Sequence, residues 1–117
     1  MMQISTKLLD TNNTKYHYGV GVLDETIKEY MKRDYKLVYS EVGSTDLVYA
    51  IGKVESIEKN DIGEIWANIE LLDTPKGKEY QEIIKQTSIN FGISGYGNIN
   101  EDGIVENFDI KSISSII

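Results

Sequence analysis

A chain of 117 residues is the length of one folded domain and leaves little room for two. Its 40% hydrophobic and 26% charged residues are globular proportions, which argues against wholesale disorder. A net charge of -7, with no basic run longer than Lys32-Arg33, argues against general nucleic-acid binding, and the absence of cysteine excludes disulfides and thiolate metal sites. No apolar run reaches the length that spans a bilayer, and Met1 to Ser5 lack the charged start and apolar stretch of a signal peptide. The expectation is a soluble protein made in a cytoplasm, with no membrane association.

Gln3 to Leu9 reads as a first strand, followed by the polar loop Asp10 to Thr14. Gly19 and Gly21 then lead into a helix expected from Asp24 to Arg33. Asp24 is its N-cap, Glu25 suits the positive end of the dipole, and Ile27, Tyr30 and Met31 form the apolar stripe. Leu47 to Ile57 reads as a strand that is apolar on both faces at its start, and is therefore expected to be covered on both sides there. Lys59 to Gly63 turns the chain into a second strand, Glu64 to Leu72, with Ile65, Ala67, Ile69 and Leu71 on one face.

Asp73-Thr74-Pro75 is the sharpest local signal. Thr74 is a good N-cap, and Pro75 suits the first helical position, where a missing N–H has no partner to lose. This helix runs to Gln86 with Tyr80, Ile83 and Ile84 as its stripe; Gly77 weakens it by about 1 kcal/mol relative to alanine. Ser88 to Gly95 is a strand with Ile89, Phe91 and Ile93 inward, Asn98 to Gly103 is a turn, and Val105 to Ser115 is a last strand. Helix, hairpin, helix, hairpin makes an α+β fold in one domain over residues 1–117. The expected shape is a small, mostly antiparallel β-barrel or strongly bent sheet carrying two helices.

The densest chemical signal is Gly92-Ile93-Ser94-Gly95-Tyr96-Gly97. A serine between glycines is open to close approach, and nearby glycine amides suit an oxyanion hole. It is no nucleophile elbow, because its flanks read as strand and turn rather than strand and helix. The competing reading is a glycine-kinked strand that bends or accepts a neighbouring backbone. A serine nucleophile needs a base. The one histidine, His17, lies in Tyr16-His17-Tyr18, far from Ser94 in sequence. With no second histidine, and with Asp61, Glu64, Glu101 and Asp102 at turns lacking calcium-loop spacing, neither metal nor cofactor is expected. Nothing pairs two carboxylates in apolar surroundings.

The order of segments from Asn12 to Ile117 resembles the phage prohead core proteases of the T-even type, relatives in fold of other prohead proteases and of the herpesvirus assembly proteases. An Asn-rich segment with a tyrosine, Asn13 to Tyr18, precedes an amphipathic helix; a β-hairpin follows; Leu72-Asp73-Thr74-Pro75-Lys76-Gly77 opens a second helix; and Gly92 to Gly97 precedes a turn and closing strand. The resemblance places Ser94 where that family carries its nucleophile. It places the family's histidine within Leu37 to Ser44, where Glu41 can be matched but the histidine and proline are absent. The serine-arginine pair after the nucleophile is replaced by Gly95 and Tyr96, and His17 lies in a different segment.

The implied reading is a non-catalytic virion protein with Ser94 as a vestigial nucleophile position. It would be an auxiliary or decoration component of the phage head that meets the major capsid protein or other head proteins in multiple copies. Expected contact surfaces are the tyrosines beside His17, the loop around Asn12 and Asn13, and the apolar end Ile113 to Ile117. A second reading is a minimal serine protease of prohead maturation, using Ser94 with His17 or a carboxylate. A third is an unrelated β-barrel binding module, which would lack the helix between the Trp66 strand and the Ser94 strand.

Overall fold

The computed structural model describes residues 2–116. Strands β4 (Ala50–Lys59) and β5 (Glu64–Leu71) form the expected hairpin. Its turn is held by Asn60, whose Oδ1 accepts from the amides of Ile62 and Glu64, and Gly63 takes the left-handed conformation at φ 85°. Strand β1 (Gln3–Asp10) lies antiparallel on the far edge of β5. Ile65, Ala67, Ile69 and Leu71 are buried while Trp66 stays partly exposed, so β5 keeps the alternation read from its sequence.

The second hairpin pairs β6 (Phe91–Ile99) with β7 (Ile104–Ser115) along one edge of β7. The other edge of β7 is shared. Short strand β2 (His17–Tyr18) pairs with it in parallel at Ile104 and Val105, and β3 (Leu37–Tyr39) in parallel at Ile113 and Ser114. Between them helix α1 (Val22–Met31) and its flank stand in for a strand: the Thr26 hydroxyl donates to the carbonyl of Phe108 at 2.8 Å, and the Arg33 guanidinium donates to that of Ile110. Because β3 also pairs antiparallel with β4, β7 joins the two hairpins into one mixed sheet in the order β1-β5-β4-β3-β7-β2, with β6 on the other edge of β7. The sheet curls until β1 lies near β6 without pairing to it, which leaves a half-barrel around a core that includes Val54, Ile57, Ile69, Ile110 and Ile113.

Helix α2 (Pro75–Gln86) fills the place between β5 and β6 and has the expected bounds. The Thr74 hydroxyl accepts from the Gly77 amide at 3.1 Å. Thr74→Ala is therefore expected to cost about 1 kcal/mol, read as a lowered urea midpoint at unchanged slope. Gly77 has a reason the sequence did not show. A Cβ there would lie 2.2 Å from the carbonyl oxygen of Leu72, which already accepts from the Gln81 side chain. Alanine, the better helix former, does not fit.

Four expectations need correction. Strand β6 runs from Phe91 to Ile99 rather than from Ser88 to Gly95, so Asn98 and Ile99 belong to the strand and not to the turn. Helix α1 starts two residues early, at Val22, because Gly21 takes φ 75° and caps it without a side-chain hydrogen bond; Asp24 instead sits in the first turn and pairs with Lys59 at 3.1 Å. Leu47–Tyr49 is a 3-10 turn rather than strand. Asp46 accepts from the Val48 amide and diverts the chain, leaving Leu47 and Val48 each 72% exposed instead of covered. Of the apolar end, Ile113, Ser114 and Ser115 are buried within β7 and offer no contact surface, Ile116 is half-exposed, and Ile117 lies outside the described residues. Strands β2 and β3 were unforeseen, and their parallel pairing makes the sheet mixed.

Helix α1 buries Tyr30, and burial pushes its phenol up to about 12. The folded state then holds a proton that the unfolded chain releases near pH 10. Stability is fully present below pH 10 and falls as pH rises toward 12, by on the order of 2 kcal/mol. Tyr30→Phe is expected to flatten most of that alkaline loss in urea titrations at pH 9 to 12, with a smaller share left from the half-buried Tyr18 and the buried Tyr39, whose phenols are also raised.

Candidate functional site

Ser94 sits in the middle of β6, half-buried and directly across the ladder from Ser112. Its neighbours Phe91 and Ile93 belong to the inward face, which leaves Ser94 on the other side of the pleat. Between Ser94 and Gly95 the register jumps from Ser112 to Ile110, a bulge that bends the hairpin. Gly95 and Gly97 are glycines because the partner backbone comes close: a Cβ would lie 2.2 Å from the carbonyl oxygen of Asp109 at Gly95, and 2.5 Å from that of Asn107 at Gly97. The kinked-strand reading of these glycines thus has a geometric cause.

His17 is exposed on β2 opposite Ile104, whereas Ser94 is opposite Ser112. Eight positions of β7 separate them, about 26 Å of strand contour at roughly 3.3 Å per residue. The fold therefore does not bring His17 to Ser94. His17 borders a cleft with Asp24, Lys59 and Asp61, beside the start of α1.

The Leu37 to Ser44 segment lies on the far side of β7 from β6: Val38 pairs with Ile113, Tyr39 with Ser114, and the Ser115 hydroxyl donates to the carbonyl of Ser40 at 3.1 Å. It offers hydroxyls and the Glu41 carboxylate but no imidazole. Glu41 faces Tyr49, whose phenol it pushes up by its charge and by hydrogen bonding. Across from Ser94, the Ser112 hydroxyl is buried with no hydrogen-bond partner among the described residues. A second hydroxyl is no base, since it holds its own proton as tightly as the first.

The carboxylates singled out at turns have structural roles or face water. Asn60 and Trp66 donate hydrogen bonds to Glu64, which hold its carboxyl below the usual range with help from Lys7. Glu101 and Asp102 are exposed at the β6–β7 turn. Among the described residues no group of three or more His, Asp or Glu gathers where it could hold a metal ion.

The tyrosines beside His17 do join a surface feature. Tyr16, Tyr18, Tyr96, Ile99, Val105 and Phe108 line an open groove of about 330 Å³ beside the outer half of β6. Tyr18 and Phe108 meet edge to face at 5.9 Å, and burial, then Tyr16, raises the Tyr18 phenol. Tyr96 is 65% exposed. Sequence reading found two of these six residues; Tyr96 and Phe108 reach the groove only through the β6–β7 pairing.

A curled, mixed half-barrel with two helices and a serine on its penultimate strand is the α+β architecture of the prohead-protease-like fold. No family model and no curated protein matches the chain. Among solved structures it is similar to the bacteriophage T4 capsid assembly protease, gp21, with a TM-score of 0.77 over 98% of this chain and 81% of that one, at 16% identity. The likeness is one of fold.

Proposed function

We propose that this chain is a phage head protein, a non-catalytic docking component of the capsid built on a capsid-protease scaffold. The observation that carries the reading is the surroundings of Ser94: across the ladder lies a hydroxyl, the histidine-bearing segment of the family offers none, and His17 stands eight positions away along β7. Removing the base of a serine–histidine unit costs on the order of 10⁶-fold in the best-studied case. The half-barrel is untouched by that loss, because its core comes from the apolar faces of β4, β5 and β7. A fold kept without its chemistry serves binding. The similar solved structure is a capsid assembly protease, so for a chain without the base, partnership with the major capsid protein or other head proteins, in many copies, is the smallest change of role.

The test is stoichiometry. Quantitative mass spectrometry of purified particles is expected to find this chain at a fixed ratio to a head protein. Its absence, or a trace only, contradicts the reading. The second reading, a minimal serine protease in prohead maturation, is favoured by one feature: Ser94 stands half-exposed on β6 at the position where the resemblance places the nucleophile. It requires that Ser94 react with a serine-directed phosphonate.

A further inference from the structure

Strand β6 breaks the usual protection of a sheet edge. It is nine residues long, Phe-Gly-Ile-Ser-Gly-Tyr-Gly-Asn-Ile, with no charge and no proline, and it pairs only with β7 among the described residues. Edges of this kind are normally blunted by lysine, proline or a covering element, because their free N–H and C=O groups template another strand. The first half of β6 is sheltered by β1: Phe91 shares a cleft with Ile4 and Thr6, and Ile93 one with Leu8 and Leu9. From Gly95 to Ile99 every residue is exposed. Along that uncovered half runs the aromatic groove of Tyr16, Tyr18, Tyr96 and Phe108.

Charge decides what fits. From Gly95 to Ile110 the hairpin carries Glu101, Asp102, Glu106 and Asp109 and no lysine or arginine; Lys15 lies over the Tyr16 ring at the opposite rim. A second copy would bring the same acidic hairpin and the same net charge of -7. We propose that the free edge of β6 from Ser94 to Ile99, with the groove beside it, takes up an extended basic segment of a partner protein as an added strand. One apolar or aromatic side chain of that segment seats in the groove. Backbone pairing supplies affinity, the pocket chooses the side chain, and the acids choose the sign of charge. This inference rests on the docking reading above and names the surface that docks.

The probe is a decapeptide of alternating Lys and Val with one central Tyr, titrated into the ¹⁵N-labelled chain. Two controls accompany it: the same peptide with Glu for Lys, and the Lys peptide with every second residue proline, which cannot pair as a strand. The Lys peptide is expected to shift the amides of Ser94 to Ile99, and the two controls to leave them unmoved. The double variant E106K/D109K, with its fold checked by circular dichroism, is expected to lose at least tenfold in affinity for the Lys peptide and to gain binding of the Glu peptide. Tyr96→Ala is expected to weaken the Lys peptide at least fivefold without reversing its sign preference, and it carries the test if the charge-reversed variant does not fold. Shifts confined to other strands, equal binding of the proline peptide, or concentration-dependent shifts of the same amides without peptide, which would mark self-pairing, each overturn the proposal. The assay needs no particle, so its failure is distinct from failure of the stoichiometry test.

Discussion

Gly95→Ala is expected to destabilise the chain by about 3 kcal/mol and to splay the end of the β6–β7 hairpin. The added Cβ would lie 2.2 Å from the Asp109 carbonyl oxygen and 2.7 Å from the edge of the Phe108 ring. Neither neighbour gives way easily. The carbonyl belongs to the backbone of the paired strand, and the ring is held edge to face by Tyr18. Gly92→Ala is the control: its Cβ would meet only side-chain atoms of Ile116 at 3.4 Å, an ordinary contact, so a change within about 0.5 kcal/mol is expected. Urea unfolding of both variants separates the two cases, and a similar loss in both would refute the close-approach account. Because Gly95 also lines the aromatic groove, the first variant should lose whatever that groove binds.

Ile113→Ala is expected to cost about 2–5 kcal/mol. Ile113 has no exposed surface and stands where the two halves of the sheet join, paired with Val38 of β3 on one side and Ile93 of β6 on the other. Truncation there leaves a cavity that β3, only three residues long, is poorly placed to close. Domains are commonly stable by about 5–15 kcal/mol, so the variant should sit near the margin at 37 °C. Thermal unfolding gives the magnitude, and hydrogen exchange tells where the loss falls. The amides of β3 and of the C-terminal end of β7 are expected to lose protection before those of the β4–β5 hairpin.

Thr74-Pro75 announced α2 because a cap and a first-position proline act within four residues, and the alternation of Ile65, Ala67, Ile69 and Leu71 announced β5 because its inward face is uniformly buried. The α+β class and the bent sheet follow from such local signals. Strands β2 and β3 did not show, since two or three residues hold no periodicity and their pairing with β7 is settled by distant residues. Leu47 and Val48 misled because apolar character alone does not tell a buried strand from an exposed turn; the capping Asp46 was the signal that separates them.

The candidate site divides the same way. The glycine spacing around Ser94 gave the kinked strand, and close approach of Asp109 and Asn107 explains it. The separation of His17 from Ser94 needed the register of β7, and so did the gathering of Tyr16 and Tyr18 with Tyr96 and Phe108 into one groove. The Ser112 hydroxyl, buried and without a partner among the described residues, has no sequence signature.

In a non-catalytic scaffold the Ser94 hydroxyl is not activated. Incubating the purified chain with a serine-directed fluorophosphonate and reading the intact mass and the modified peptide measures this directly. No adduct at Ser94 beyond the background seen in Ser94→Ala is the predicted result. A stoichiometric adduct on Ser94, absent from Ser94→Ala, contradicts the account.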